Sequence, residues 1–99
     1  MKEVEHWIYQ KRQSKDPWAF RLIMRIDAQA EKPMQFDITL YSDKIEGTGT
    51  RTVCDLAPRH LGDFSAIAWN MCRKEGIGFN DLDALQFDSA ILDLIAESY

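Results

Sequence analysis

The chain has 99 residues, 45% hydrophobic and 28% charged, with a formal net charge of −4 at pH 7. One domain of this size buries roughly 65% of the surface its unfolded chain exposes, and the balance of apolar to charged residues excludes wholesale disorder. The acidic charge argues against a nucleic-acid binder working through a dominant basic face. Apolar runs such as AIAW at 66–69 fall far short of the ~20 residues that cross a bilayer, so no membrane partner is expected.

The opening stretch MKEVEHWIYQ carries charges at positions 2, 3 and 5 and has no apolar segment, which is not the pattern of a secretory signal. Cys54 and Cys72 are the only cysteines. A small secreted scaffold carries more of them at repeating spacings, so both read as reduced thiols and a cytoplasmic location is expected.

In chain order, VEHWIYQKR (4–12) reads as a first strand, joined through QSKDP to the next. Its phase is open: either Val4, His6 and Ile8 point inward, or Trp7 and Tyr9 do. Residues 18–27, WAFRLIMRID, alternate with Trp18, Phe20, Leu22, Met24 and Ile26 on one face. Residues 34–41, MQFDITLY, repeat the pattern with Met34, Phe36, Ile38 and Leu40. Period-two alternation means strands with one buried face. The polar QAEKP, ending in Pro33, makes the pair an antiparallel hairpin. A one-residue slip would invert a strand. Two registers therefore remain, with Arg25 opposite Gln35 or opposite Asp37. GTGT (47–50) is a turn signal, and RTVCDL (51–56) reads as a shorter fourth strand.

After Pro58 the period becomes helical. Leu61, Phe64, Ile67, Ala68, Met71 and Cys72 share one helical face. Pro58 suits a first turn, and Gly62-Asp63 offers a later start. Gly76, following Arg73 and Lys74, is a natural stop. Asn80 and Asp81 can cap a second helical region, which Asp88-Ser89 could divide. The expected fold is α+β: an antiparallel four-stranded β-meander followed by two or three C-terminal helices packed on one face of the sheet. It forms one domain over 1–99, with the sheet in 1–57 and the helices in 58–99.

Charge is unevenly shared. Residues 1–57 hold nine acids and nine bases, whereas 58–99 hold seven acids and three bases. From Glu75 to Tyr99 there are six carboxylates and no Lys, Arg or His. Asp81, Asp83 and Asp88 fall at expected helix starts, where capping accounts for them. Asp93 and Glu97 lie four apart on one helical edge, a mildly unfavourable spacing that capping does not explain. The plain reading is a solvated acidic face. The functional reading is a surface complementary to a basic partner, with apolar anchors beside it.

Trp69 lies off the helical stripe, either as an interface residue or packed beneath the last helix. If Trp7 and Tyr9 face outward, they join Arg21, Ile23, Arg25 and Tyr41 on the outer sheet face. Such a face suits a protein partner. Stacked single-stranded bases would need a fuller aromatic signature and a different net charge, so direct nucleic-acid binding is not expected.

No motif places a nucleophile on a strand-to-helix elbow, and GTGT is too short for a phosphate loop. Cys54, His60, Cys72 and His6 contain zinc-binding atoms without paired-ligand spacing, so no metal or cofactor is expected. The expected function is a non-enzymatic protein-binding module. The leading form is a stoichiometric inhibitor of the immunity or phage/plasmid anti-defence (anti-CRISPR) type. Its acidic helical end would meet a basic surface, such as that of a nucleic-acid-binding protein. The alternative is a homodimeric structural or adaptor protein using the aromatic sheet face or an edge strand.

Overall fold

The computed structural model describes residues 2–10, 16–27, 29, 34–55 and 62–98. Four strands follow one another: β1 (Lys2–Tyr9), β2 (Trp18–Ile26), β3 (Met34–Ser42) and β4 (Thr50–Asp55). Two helices come after them, α1 (Gly62–Lys74) and α2 (Asp81–Ser98). The strands form a single sheet in the order β1-β2-β3-β4, each antiparallel to its neighbour. This is the meander that the alternation dictates.

Register follows from keeping the apolar residues together. Arg25 pairs with Gln35, the first of the two arrangements the sequence allows, so Phe20 faces Leu40 and Leu22 faces Ile38. All four of these apolar side chains are fully buried. The phase of β1 is also settled: Ile8 is buried, whereas Trp7 and Tyr9 are exposed on the opposite face. Pairing places Ile8 beside Phe20 and Trp7 beside Arg21.

Helices cover the apolar face, with α2 against β1 and α1 against β3, and the two helices pack on each other. On α1 the expected stripe is buried at Phe64, Ala68, Met71 and Cys72 and half-buried at Ile67. The helix is described from Gly62 onward. Pro58, His60 and Leu61 lie outside the described residues, as do Pro33 of QAEKP and Gln13, Ser14 and Lys15 of QSKDP.

The stop at Gly76 has a full chemical account. Its φ of 69° is left-handed backbone that glycine takes without a Cβ clash. The Gly76 amide donates to Arg73 O at 3.2 Å and the Ile77 amide to Cys72 O at 2.8 Å. These are the paired bonds of a Schellman termination, and the Ile77 side chain drops into the core. Arg73 and Lys74 lie in the last turn, where cations suit the dipole.

Asn80 then starts α2 through a reciprocal box. Asn80 Oδ1 accepts from the Asp83 amide and Asp83 Oδ2 accepts from the Asn80 amide, both at 3.0 Å. The break considered at Asp88-Ser89 does not occur, so there are two helices and Asp88 is a mid-helix residue. Phe87, Ala90, Ile91 and Leu94 bury one continuous face across that point. Such burial outweighs the modest preference of Asp and Ser for helix ends.

Gly49 fixes the turn from β3 to β4. Its φ is 90°, and an added Cβ would stand 2.7 Å from the backbone oxygen of Leu40. Gly49→Ala therefore combines left-handed strain with a backbone clash and should cost about 1–3 kcal/mol. Thermal unfolding should show a melting temperature lower by several degrees. Gly47→Ala, strained in φ but open in space, should cost less.

Candidate protein-binding surfaces

The outer sheet face is built around one buried carboxylate. Asp37 on β3 is only 2% exposed, although its neighbours in the alternation are polar. Two arginines converge on its Oδ2 from the flanking strands. Arg25 Nη1 donates at 3.1 Å, and Arg51 donates from Nε at 2.9 Å and from Nη2. Arg25 Nε also holds Glu3 at 3.0 Å, so a chain of charges, Glu3–Arg25–Asp37–Arg51, runs across all four strands. Burial pushes the Asp37 carboxyl up, but the hydrogen bonds and charges of Arg51 and Arg25 outweigh it and hold the group below the usual carboxylate range. Ile23, on the same face, is buried beside this cluster. Arg25 is thus occupied within the sheet. Arg21 is half-buried, its Nε buried without a hydrogen-bond partner.

Aromatic side chains occupy the other end of this face. Trp7 stacks on Tyr9 with ring centroids 6.0 Å apart and on Tyr41 at 5.5 Å. Tyr9 and Tyr41 both pair with Ala19 on β2, whose small side chain leaves space for the rings to meet across it. Trp7 Nε1 donates to Glu5 Oε1 at 2.7 Å. Trp7 and Tyr9 also line an open pocket of about 260 Å³ at the β1 edge, together with His6, Gln86 and Asp93. That pocket is where the sheet aromatics and the acidic helix come together.

Trp69 takes neither of its two expected positions cleanly. It is 38% exposed and packs edge-on against Phe79 of the α1–α2 connection at 5.8 Å. Phe79 in turn touches Trp18 and Phe20. Trp69 is a partly open lid on an aromatic cluster.

The six-carboxylate tail divides by role. Asp83 is buried and spent on the capping box. Asp88 faces Ser65 in the first turn of α1. Burial raises its carboxyl above the usual value, and hydrogen bonds from the Ser65 side chain and amide offset only part of that. Its Oδ1 is buried without a hydrogen-bond partner. Asp81, Asp93 and Glu97 are exposed. Three described cations serve other acids: Arg25 and Arg51 hold Asp37, and Lys44, just after β3, holds Asp16 at 3.0 Å. Among the described residues no ion pair reaches Asp81, Asp93 or Glu97.

Reading the sequence missed one feature. Leu82, Leu85 and Leu92 are 68%, 65% and 50% exposed, along the side of α2 that faces away from the sheet. Their spacing is visible in the sequence. Phe87, Ala90, Ile91 and Leu94 supply a second apolar stripe on the same helix, and periodicity alone does not say which of the two is buried.

Elsewhere, an open groove of about 540 Å³ runs between β4 and α1, lined by Thr50, Thr52, Ile67 and Met71 with Arg51, Arg73 and Lys74 around it. Cys72 is a buried core residue whose thiol is pushed up to about 12, chiefly by burial and secondarily by Asp83, so it is a poor nucleophile. Among the described residues no group of three or more His, Cys, Asp or Glu is placed to hold a metal, and no helix is long and apolar enough to cross a membrane.

The buried Asp37 and the half-buried Asp88 respond oppositely to pH. Asp37 has a lowered folded value, so its contribution is full above the ordinary carboxylate range and is lost as pH falls through the folded value. Asp37→Asn should cost about 1–3 kcal/mol at pH 7, and denaturant titration should show the deficit shrinking in strong acid. Asp88 has a raised folded value, so its charge opposes folding above that value and not below the unfolded one. Asp88→Asn should raise the melting temperature at pH 7, and the gain should vanish as pH falls below about 4.

The chain matches no protein-family model, no curated protein and no solved structure.

Proposed function

We propose that this chain is a non-enzymatic protein-binding module acting as a stoichiometric inhibitor, of the immunity or anti-defence kind, whose acidic helical end meets a basic surface on its partner. The observation that carries the reading is that, among the described residues, no ion pair reaches the exposed acids of α2. Asp81, Asp93 and Glu97 stand exposed on a helix with no cationic side chain. Arg25 and Arg51, two of the described sheet arginines, are committed to Glu3 and Asp37.

An uncompensated acidic surface speeds encounter with a basic one and rejects acidic competitors. A partner that normally holds nucleic acid presents such a surface, and carboxylates can stand where phosphates would. The chain then works by occupying that surface, and needs no catalytic group to do so.

A second reading has its own support in the exposed Trp7–Tyr9–Tyr41 stack, an aromatic patch of the kind found at interfaces. It proposes a homodimer joined through that face or the adjoining β1 edge. Light scattering after size exclusion separates the two. A concentration-independent dimer dispersed by Trp7→Ser supports the second, and a monomer supports the first.

The partner is accessible by capture on the immobilised chain from its host and identification by mass spectrometry. The triple variant Asp81→Asn, Asp93→Asn, Glu97→Gln should bind that partner on the order of 10-fold more weakly at low salt, with a shallower salt dependence. Unchanged affinity together with unchanged salt dependence would remove the acidic-surface reading.

A further inference from the structure

The outward side of α2 follows a heptad rule. Leu82, Leu85, Ser89, Leu92 and Ala96 recur at spacings of three and four, and all five are exposed. The stripe lies roughly opposite, around the helix axis, to the face that Phe87, Ala90, Ile91 and Leu94 bury in the core. It extends about 21 Å at 1.5 Å per residue, which is four turns. A helix needs one apolar face to join a globular core, so a second has no use within the described fold. Large exposed apolar side chains arranged in a line mark a docking surface.

Flanking residues identify what docks. With Leu82 and Leu85 as the a and d positions of a heptad, the exposed Asp81 falls at g and Asp93 at e, the places that face a partner helix's flanks, while Asp88, also at g, is turned onto Ser65. Glu97 lies next to Asp93 on the same side. Neither flank carries a cation. A second copy of α2 laid against the first, in either direction, would bring carboxylates against carboxylates, so self-pairing is opposed by charge. An anionic lipid surface is opposed for the same reason, because interfacial helices carry Lys and Arg on their polar side.

We infer that the stripe Leu82–Leu85–Leu92 is a docking seam for one amphipathic helix of a partner protein, a helix with large aliphatic residues at heptad spacing and Lys or Arg flanking them. The inference rests on the acidic-surface reading above and adds the apolar anchor and the shape of the partner. Leucines supply the affinity, and Asp81, Asp93 and Glu97 fix orientation and reject acidic helices. Ser89, small and polar at the middle of the seam, lets the partner backbone approach closely there.

The test uses three synthetic helical peptides of about three heptads, titrated into the full chain by calorimetry. The first has leucine at a and d with lysine at e and g. The second keeps the lysines and replaces the leucines with serine. The third keeps the leucines and replaces the lysines with glutamate. The first peptide should bind on the order of 10-fold or more tightly than either of the others. Leu85→Ser and Leu92→Ser should each weaken it by about 10-fold while the chain stays folded with a melting temperature lower by only a few degrees, since the loss is mainly helix propensity and neither side chain is in the core.

Binding of the first peptide that is indifferent to Leu85→Ser and Leu92→Ser overturns the seam. If both lysine peptides still bind with salt-sensitive affinity in that case, the acidic-surface reading survives alone. If neither lysine peptide binds, both inferences fall. Equal binding of the glutamate peptide overturns the basic partner, and a dimer of the chain that Leu85→Ser turns into monomer overturns the heterologous partner in favour of a second copy.

Discussion

Phe20 determines which way the last helix faces. Fully buried on β2, it meets Trp18 at 5.2 Å, Phe79 at 6.2 Å and Phe87 at 5.3 Å, all in edge-to-face contact. One ring thus joins its own strand, the connection between the helices and α2 itself. Edge-to-face pairs have a preferred geometry as well as a buried area. Once Phe87 is seated against Phe20, the rotation of α2 about its own axis is fixed. Leu94 and Ile91 turn inward, and Leu82, Leu85 and Leu92 turn to solvent. The exposed leucine stripe is therefore a by-product of how the core is closed.

The entry to α2 reinforces this. Gly76 stops α1 with both Schellman bonds made, Ile77 anchors the connection, and Gly78 O accepts from Trp18 Nε1 at 3.3 Å. Asn80 and Asp83 then start α2 with two orphan amides satisfied. Backbone chemistry at both ends of the connection leaves α2 little freedom to swing. A rigid helix loses less entropy when a partner docks on it than a fluctuating one does. Asp83, which composition places among the recognition acids, contributes by holding the helix and not by touching a ligand.

The sheet was legible in the sequence because one physical rule governs it, and that rule narrowed the β2–β3 register to two choices, of which Arg25 opposite Gln35 is adopted. Met24, Phe36 and their neighbours alternate strictly, and only a register that keeps them on one side is tolerable in water. Two ambiguities had no such rule. Val4 and Ile8 compete with Trp7 and Tyr9 for the inner face of an edge strand, and either choice buries apolar area. Asp88-Ser89 resembles a helix end locally, but the burial of Phe87 and Ile91 on either side decides for continuity. The leucine seam was hidden for a related reason. In a helix that is apolar on two sides, sequence periodicity reports two faces, and only packing against the sheet chooses between them. Asp37 was placed on the correct face by alternation, yet its burial depended on Arg25 and Arg51 reaching it diagonally from adjacent strands.

Charge distribution links the two ends of the molecule. Two arginines of the sheet, Arg25 and Arg51, are drawn inward by the unfavourable burial of Asp37. A carboxylate at 2% exposure demands partners more strongly than an exposed one, because unpaired burial of a charge costs far more than its hydration in water. Arg25 and Arg51 are consequently unavailable to Asp93 and Glu97, whose solvation by water is adequate in the free protein. That allocation follows from electrostatics alone. It leaves Arg25 and Arg51 satisfied within the sheet while the exposed acids of α2 remain beside an apolar seam. Water satisfies those acids only until the seam is covered, and a helix that covers it must bring its own lysines or arginines or else leave the carboxylates partly desolvated. The same arrangement that stabilises the sheet thereby sets the chemical condition a partner has to meet.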